Sequence, residues 1–197
     1  GHPLLGDIVR ETSGEAWFES VVAAETHWVL DEHRLADGTP VMPGAGYAEI
    51  ARAAASHVLD GPLEIRDLEF LRPLVANGPQ KMQVRVAGIA DGVRVSVLSG
   101  PRESADTDMV ECATAVVALC TAVQPDAIRK ADCGPPPPKA ASGVAARSVP
   151  GQHGHLRFGP RWDNIGALAV GRDQVTARLA LHQDFHHEAG ELGLHPA

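Results

Sequence analysis

An alanine-rich segment with helical periodicity, set among segments that alternate, is the feature that most limits the folds open to this chain. Residues 43–59 read PGAGYAEIARAAASHVL. The side chains that recur at steps of three and four residues are Tyr47, Ile50, Ala54 and Val58. Pro43 is typical of a first helical turn, where its missing N–H would have no partner. The segment predicts a helix with small side chains on its buried face, against which another layer packs closely.

Strand-like segments precede and follow this helix. Residues 16–30 predict one or two strands with a turn near 23–26, and the dipeptide Asp91-Gly92 predicts a hairpin turn. The apolar or alternating segments after the helix are 63–75, 81–89, 92–100 and 109–120. Strands, one central helix and then an antiparallel meander predict an α+β fold in which a sheet wraps around the helix.

The composition changes in the last third of the chain. Residues 124–150 contain CGPPPPKAASG and little that packs, which is typical of a stiff proline-rich linker. Residues 151–197 then begin a second unit, in which 174–181 alternates as a strand. Because this unit is much shorter than the first unit, 1–123, we expect it to be incomplete.

Bulk composition argues against several classes of protein. A net charge of −8 disfavours a nucleic-acid partner, and 44% hydrophobic with 21% charged residues is typical of a folded domain. No apolar run reaches the ~18 residues of a membrane-spanning helix. The three cysteines lack the spacing of a zinc site or a disulfide framework. We therefore expect idle or buried thiols in the reducing cytoplasm, with neither a membrane nor a nucleic acid as partner.

Four short motifs resemble those of dehydratase domains in bacterial modular polyketide synthases. HPLLG (2–6) is similar to the family's opening, and HWVLDEH (27–33) resembles the strand that leads into its catalytic histidine. GTPVMPG (38–44) is similar to the Gly-to-Pro half of the His-x-x-x-Gly-x-x-x-x-Pro motif. HLRFGPRW (155–162) is similar to Gly-Tyr-x-Tyr-Gly-Pro-x-Phe. The order and spacing of these motifs, across the whole chain, carry the resemblance.

The resemblance implies a double hotdog, which is two units of a sheet wrapped around a helix, with the second unit incomplete here. It also implies dehydration of a β-hydroxyacyl thioester, a hydro-lyase reaction of polyketide and antibiotic assembly. The substrate would be carried on the phosphopantetheine of an acyl carrier protein, with no metal and no further cofactor. The implied partners are that carrier protein, the neighbouring domains of a multifunctional synthase and a second copy in a homodimer.

The resemblance assigns the general base to His33. Its partner, an aspartate that acts as the acid, is expected just after Ala197, because LHPA (194–197) looks like the start of the motif that carries it. The residues that the motifs place around the substrate are Gly38, Val41, Met42, Pro43, Gly44, Phe158, Gly159 and Pro160.

A histidine just before a glycine-flanked helix start suits this chemistry. Dehydration removes a weakly acidic α proton, so it needs a base that is neutral near pH 7, and histidine has an ordinary pKa of ~6.5. Negative charge then builds on the thioester oxygen, and amides at a helix N-terminus stabilise it. The run 38–44 comes directly before the predicted helix.

The chain departs from the family's pattern at two points inside these motifs. One extra residue separates His33 from Gly38, with Asp37 at the expected glycine, and we expect 36–37 to bulge outward. Phe158 replaces a tyrosine, so that hydroxyl is missing. Two alternatives therefore stay open. One is a cyclase or double-bond isomerase that uses the same base and acid, and the other is a non-catalytic hotdog that binds acyl chains or holds an assembly together.

The remaining histidines are interpreted as structural or solvated. His27 is expected to be a hydrogen-bonding residue, while His2 and His195, each followed by proline, mark points where the chain enters a unit. The polar segment LHQDFHHE favours a solvated loop over a metal site. Its histidines are His182, His186 and His187. Asp163 is kept as a fallback acid, although a helical position beside Arg161 is favoured.

Overall fold

The computed structural model describes residues 2–121, 154–170 and 175–197, with the backbone alone at 167–170 and 175. Most of the first unit is one antiparallel sheet. Its strands are β1 (Asp7–Glu11), β2 (Glu15–Val22), β4 (Leu63–Phe70), β5 (Gln80–Ile89), β6 (Gly92–Pro101) and β7 (Val110–Leu119). Their order in the sheet is β1-β2-β5-β6-β7-β4. The strands predicted after the central helix are all present.

Helix α2 (Gly44–Ala55) packs against the face formed by β4, β5, β6 and β7. Ile50 and Ala54 are fully buried on this helix, and the alternating residues Met82 and Val84 of β5 are fully buried beneath it. Removal of apolar side chains from water stabilises such a layer by about 25 cal/mol per Å². The predicted α+β plan, a sheet around an alanine-rich helix, is confirmed.

The helix is shorter than predicted at both ends. Pro43 is the N-cap with an extended backbone, and the C-cap is Ser56, so residues 57–59 lie outside. The Ser56 hydroxyl donates to the carbonyl of Ala53 at 2.8 Å, which competes with continuation of the helix. Val58, placed on the buried face by periodicity, is therefore 45% exposed.

Of the one or two strands predicted over 16–30, the first is present as β2, and the optional second one is replaced after the turn by a short helix, α1 (Trp28–Asp31). The carbonyl of Ala23 accepts the amides of Thr26 and His27 and starts the turn. Val29 and Leu30 are both buried, at 1% and 0% exposure. A half-buried strand would place these consecutive side chains on opposite faces, whereas one helical turn buries both.

The β5–β6 hairpin turns one residue earlier than predicted. Ala90 and Asp91 form the turn, and Gly92 pairs with Ile89. Gly92 has a φ of +139°, and a Cβ atom there would lie 2.3 Å from the carbonyl oxygen of Val117. Both the positive φ and the close approach of β7 therefore require glycine at this position.

The second unit begins by pairing with the first. Strand β8 (Leu156–Phe158) pairs antiparallel with β3 (His33–Leu35), which follows α1 directly. A hairpin of β9 (Ile165–Val170) and β10 (Val175–Leu179) follows, and then a 3-10 helix over Gln183–Gly190. The strand predicted at 174–181 corresponds to β10. The predicted linker, 124–150, lies outside the described residues, so the domain boundaries stay a prediction.

Helix length also bears on membrane insertion. Within the described ranges, no helix combines the length and the apolar character that a membrane crossing requires.

Candidate active site

His33 is the first residue of β3, and Val41 holds both its side chain and its backbone. Its Nδ1 atom lies 2.8 Å from the carbonyl oxygen of Val41, and the Val41 amide donates to the His33 carbonyl at 3.0 Å. A carbonyl only accepts, so Nδ1 carries the proton in the neutral ring. The lone pair of Nε2 is then available to accept a proton, which is the state that a general base needs.

Two aromatic side chains of the second unit flank the His33 ring. The ring centroids of Phe158 and Trp162 lie 5.6 and 5.4 Å from that of the imidazole. His33 therefore faces the second unit, and its side chain is only partly exposed. The indole Nε1 of Trp162 is shielded from solvent and has no acceptor among the described residues. Such a donor is costly unless something accepts its proton.

The extra residue after His33 lies in an exposed turn. Leu35 and Thr39 close this turn, because the Leu35 amide donates to the Thr39 carbonyl at 2.8 Å. Gly38 has a φ of +92°, and the Asp37 carboxylate accepts the Thr39 amide at 2.9 Å. Ala36 is exposed together with Asp37. The turn therefore projects outward, and Gly38 supplies its left-handed position.

The segment from Val41 to Gly44 connects His33 to the N-terminus of α2. The amide of Met42 donates to the Leu74 carbonyl at 3.0 Å, and the Met42 side chain is 3% exposed, within the core. Pro43 is the N-cap, and no side chain caps the helix there. A Cβ atom on Gly44 would lie 3.1 Å from the ring of Phe70. The first amides of a helix have no carbonyl partner within it, so they are free to bind an anion.

The second motif packs tightly against the residue before His33. The Gly159 amide donates to the Glu32 carbonyl at 2.9 Å, and a Cβ atom on Gly159 would lie 2.2 Å from Cγ of Glu32. Only glycine fits this position without displacing Glu32. Pro160 then starts a 3-10 turn, Pro160–Trp162, whose backbone holds the Trp162 ring beside His33.

A buried ion-pair network lies behind this motif. Arg161 binds Glu32 through Nη1 and binds Glu188 through Nε and Nη2, the last at 2.6 Å. The side chains of Arg161, Glu32 and Glu188 are 16%, 8% and 7% exposed. Burial acts to raise the pKa of Glu188, but hydrogen bonds from Arg161 and His195 outweigh it and lower that pKa. The hydrogen bonds that Arg161 donates to Glu188, and then those to Glu32, raise the pKa of Arg161.

A second buried carboxylate, that of Glu49 on α2, contacts three parts of the chain. Its oxygens accept from Arg52 at 2.7 and 2.8 Å, and His2 Nε2 lies 3.0 Å away. They also accept the amides of Gly193 at 2.8 Å and Leu194 at 2.7 Å. Burial acts to raise the pKa of Glu49, yet these hydrogen bonds lower it to about 2. Glu49 therefore ties both ends of the described chain to the central helix.

The other histidines lie away from His33. His27 Nδ1 contacts the Thr26 hydroxyl at 2.9 Å, and burial lowers the pKa of its ring. His182 and His187 are mostly exposed at the 3-10 helix, and His186 Nε2 donates to a main-chain carbonyl at 2.9 Å. Over the described ranges, no three His, Cys, Asp or Glu side chains form a group that could hold a metal ion.

Asp163 is exposed and caps the Pro160–Trp162 turn, rather than lying within a longer helix.

Sequence reasoning missed the buried charged residues. The sequence of LHQDFHHE favours a solvated loop, yet Glu188 at its end is 5% exposed. Glu49 lies on the alanine-rich helix and is 0% exposed. Its position gives one clue, because it comes directly before the buried Ile50 and Ala51. For Glu188 and Arg161 no local pattern was available, since their partners lie 27 to 129 residues away.

Comparison with known proteins identifies the family to which the sequence of this chain is similar. The family described as "Polyketide synthase dehydratase domain" matches residues 2–100. Polyketide synthase GfsA of Streptomyces halstedii is 32% identical over 203 aligned residues, which cover 100% of this chain and 3% of GfsA. The chain therefore spans a small part of that relative's length.

Solved structures agree with the family assignment. The dehydratase domain from the CurF module of curacin polyketide synthase is 21% identical, with a TM-score of 0.76 over 99% of this chain and 72% of that chain. An isomerase-inactive variant of GphF dehydratase 1 is 26% identical, with a TM-score of 0.72 over 99% and 67%. These likenesses confirm the predicted hotdog architecture, of which this chain spans a part. The chain belongs to the polyketide synthase dehydratase domain family.

Proposed function

We propose that this chain dehydrates a β-hydroxyacyl thioester carried on an acyl carrier protein during polyketide assembly. The observation that carries the proposal is the hydrogen bond from His33 Nδ1 to the Val41 carbonyl, which leaves Nε2 able to accept a proton. His33 Nε2 takes the α proton, and the electron pair of the broken Cα–H bond becomes the Cα=Cβ double bond. The C–O bond at the β carbon breaks, and an acid protonates the leaving oxygen, so that water is released.

The enolate oxygen would lie at the N-terminus of α2. The uncapped amides after Pro43 are suited to a developing negative charge, and Val41 keeps this segment beside His33. Trp162 offers a further donor, because its shielded N–H lacks an acceptor within the part of the chain that is described. We assign this N–H to a substrate oxygen, where it replaces the hydroxyl that Phe158 lacks.

The acid is proposed to be an aspartate just after Ala197. The segment that leads to it is held in place, since Glu49 accepts the amides of Gly193 and Leu194, and His195 stacks on Trp28 at 5.1 Å. A chain that ends at Ala197 is then expected to form no enoyl product, whereas one that continues past Ala197 forms it. Enoyl product from the shorter chain would mean that another residue is the acid, and Asp163 would be the first residue to test by substitution.

Removal of the α proton by a base and protonation of the leaving hydroxyl by an acid need no redox cofactor, and the proposed mechanism uses neither that nor a metal. The carrier protein presents its acyl group on phosphopantetheine, and neighbouring synthase domains are proposed as further partners. Homodimerisation and a cytoplasmic location stay predictions.

An isomerase is the second candidate function, because one similar structure is an isomerase-inactive variant of GphF dehydratase 1. His33 is the proposed base in both reactions: it takes the α proton in dehydration, whereas isomerisation of the enoyl takes a γ proton and returns a proton to the α carbon. Product analysis separates them. A 3-hydroxyacyl carrier substrate is incubated with protein that continues past Ala197, and the acyl group is examined by mass spectrometry and NMR. Loss of one water with an α,β double bond supports a dehydratase, and a β,γ double bond supports an isomerase. With a substrate that carries a further hydroxyl along its acyl chain, a ring ether indicates a cyclase, and unchanged substrate supports the non-catalytic alternative.

A further inference from the structure

Arg161 lies between two buried carboxylates that come from different parts of the chain. Its Nη1 binds Glu32, and its own amide donates to the second oxygen of Glu32 at 2.8 Å. On the other side, Nε lies 2.9 and 3.0 Å from the two oxygens of Glu188, and Nη2 lies 2.6 Å from one of them. All three guanidinium nitrogens are thus used in one buried bridge.

One carboxylate lies next to the proposed base, and the other contacts the segment that leads to the proposed acid. Glu32 directly precedes His33, the proposed base, and its carbonyl accepts the Gly159 amide. Glu188 lies 3.3 Å from Nε2 of His195, which stands two residues before Ala197. The bridge therefore runs from the neighbour of the base to the segment that leads to the proposed acid.

Two aromatic rings lie close to the guanidinium as well. The Cζ atom of Arg161 lies 4.6 Å from the ring centroid of Trp28 and 4.2 Å from that of Phe185. His195 stacks on the same Trp28 ring. A planar guanidinium can bind two carboxylates at its edges and two aromatic rings at its faces, whereas an ammonium group is a single point charge. Lysine cannot reproduce this geometry.

We propose that Arg161 is a positioning residue that fixes the separation between His33 and the acid-bearing segment. This inference rests on the proposed function, because it assumes a base at His33 and an acid after Ala197. Base and acid act on adjacent carbons of one substrate, so a shift of ~1 Å between them lowers turnover by as much as ~10²-fold. Without Arg161, two buried carboxylates would lie close together unneutralised. The segment 188–197 would lose its link to Glu32 and would be held by Glu49 and Trp28 alone among the contacts described here.

The test compares Arg161→Lys and Arg161→Met with the unaltered protein, in a chain that continues past Ala197. Arg66→Met is the matched control, because Arg66 forms an ion pair with Glu64 whose side chains are 43% and 44% exposed. Amide hydrogen exchange is measured for 188–197 and for the β5–β6 hairpin, and kcat and KM are measured with a 3-hydroxyacyl carrier substrate.

We expect exchange in 188–197 to accelerate at least ~10-fold in both Arg161 variants, while the hairpin stays protected. The value of kcat should fall at least ~10-fold with KM within about threefold, because binding is kept and alignment is lost. The control should match the unaltered protein in every measurement.

Three results would overturn the inference. Unchanged exchange in 188–197 would show that Arg161 does not hold this segment. Faster exchange across the hairpin as well would show a general role in folding. Local acceleration with an unchanged kcat would show that the segment's position does not matter for turnover. Absence of enoyl product from the unaltered protein would count against the proposed function instead, and the exchange data would still decide whether Arg161 docks the segment.

Discussion

Replacement of Glu49 by glutamine should destabilise the protein strongly at neutral pH and hardly at all in acid. Glu49 is fully buried and accepts hydrogen bonds from Arg52, Gly193 and Leu194, with His2 at 3.0 Å. Glutamine keeps one accepting oxygen but turns an NH₂ group toward these donors. Two donors then face each other in a buried site, which leaves hydrogen bonds unmade.

The magnitude follows from the pKa of the carboxyl. Folding lowers the pKa of Glu49 from 4.5 to about 2. A tenfold change in acidity corresponds to about 1.4 kcal/mol, so the ionised carboxylate contributes about 3 kcal/mol to the free energy of unfolding. Because the folded-state pKa is the lower one, this contribution is complete above pH 4.5 and is lost as the pH falls through about 2.

Urea denaturation followed by circular dichroism, repeated between pH 7 and pH 3, measures this contribution. The difference between the unaltered protein and Glu49→Gln should be about 3 kcal/mol at pH 7 and should shrink steadily below pH 4.5. Glu64→Gln is the control, because the Glu64–Arg66 pair is exposed and solvent screens its charges, so its loss should leave stability close to that of the unaltered protein. A difference below about 1 kcal/mol at pH 7, or one that does not change with pH, would refute the reasoning.

Three further substitutions test other contacts. Gly159→Ala places a Cβ atom 2.2 Å from Glu32 and should cost about 1–3 kcal/mol, so an unchanged melting temperature would contradict the packing described. Tyr47→Phe removes the acceptor of the Leu74 amide, 3.1 Å away, and should cost about 1–3 kcal/mol in urea denaturation, whereas a neutral result would mean that the amide finds another partner. Trp162→Phe keeps a ring beside His33 but removes the shielded N–H; turnover should fall about 10-fold without loss of stability, and full turnover would exclude contact between that N–H and the substrate.

Periodic features were predictable from the sequence because they depend on neighbours along the chain. The alanine-rich face of α2 and the alternating strands β5 and β6 both bury residues at regular steps, so their positions follow from hydrophobic pattern alone. The boundaries were less predictable. Helix α2 ends at Ser56, whose hydroxyl bonds back to the Ala53 carbonyl, and the paired burial of Val29 and Leu30 favours a short helix over a second strand.

The charged contacts of the site depend on tertiary structure instead. Glu49 meets Gly193 across 144 residues, and Arg161 meets Glu32 across 129. Charged residues are mostly exposed, so a sequence pattern favours the surface for each of them. Only the folded chain brings opposite charges together and makes their burial favourable. His33 was predicted from its motif, whereas the buried network around it was not.

The role of His33 as the general base is tested most directly by comparing the turnover of two histidine variants. His33→Ala and His27→Ala are measured for kcat/KM with a 3-hydroxyacyl carrier substrate, in protein that continues past Ala197 and whose circular dichroism matches the unaltered protein. His27 is the control, because its ring bonds within its own turn, 2.9 Å from the Thr26 hydroxyl. We expect kcat/KM to fall at least ~10²-fold for His33→Ala and less than about fivefold for His27→Ala. Turnover by His33→Ala close to that of the unaltered protein would contradict the role of His33 as the base.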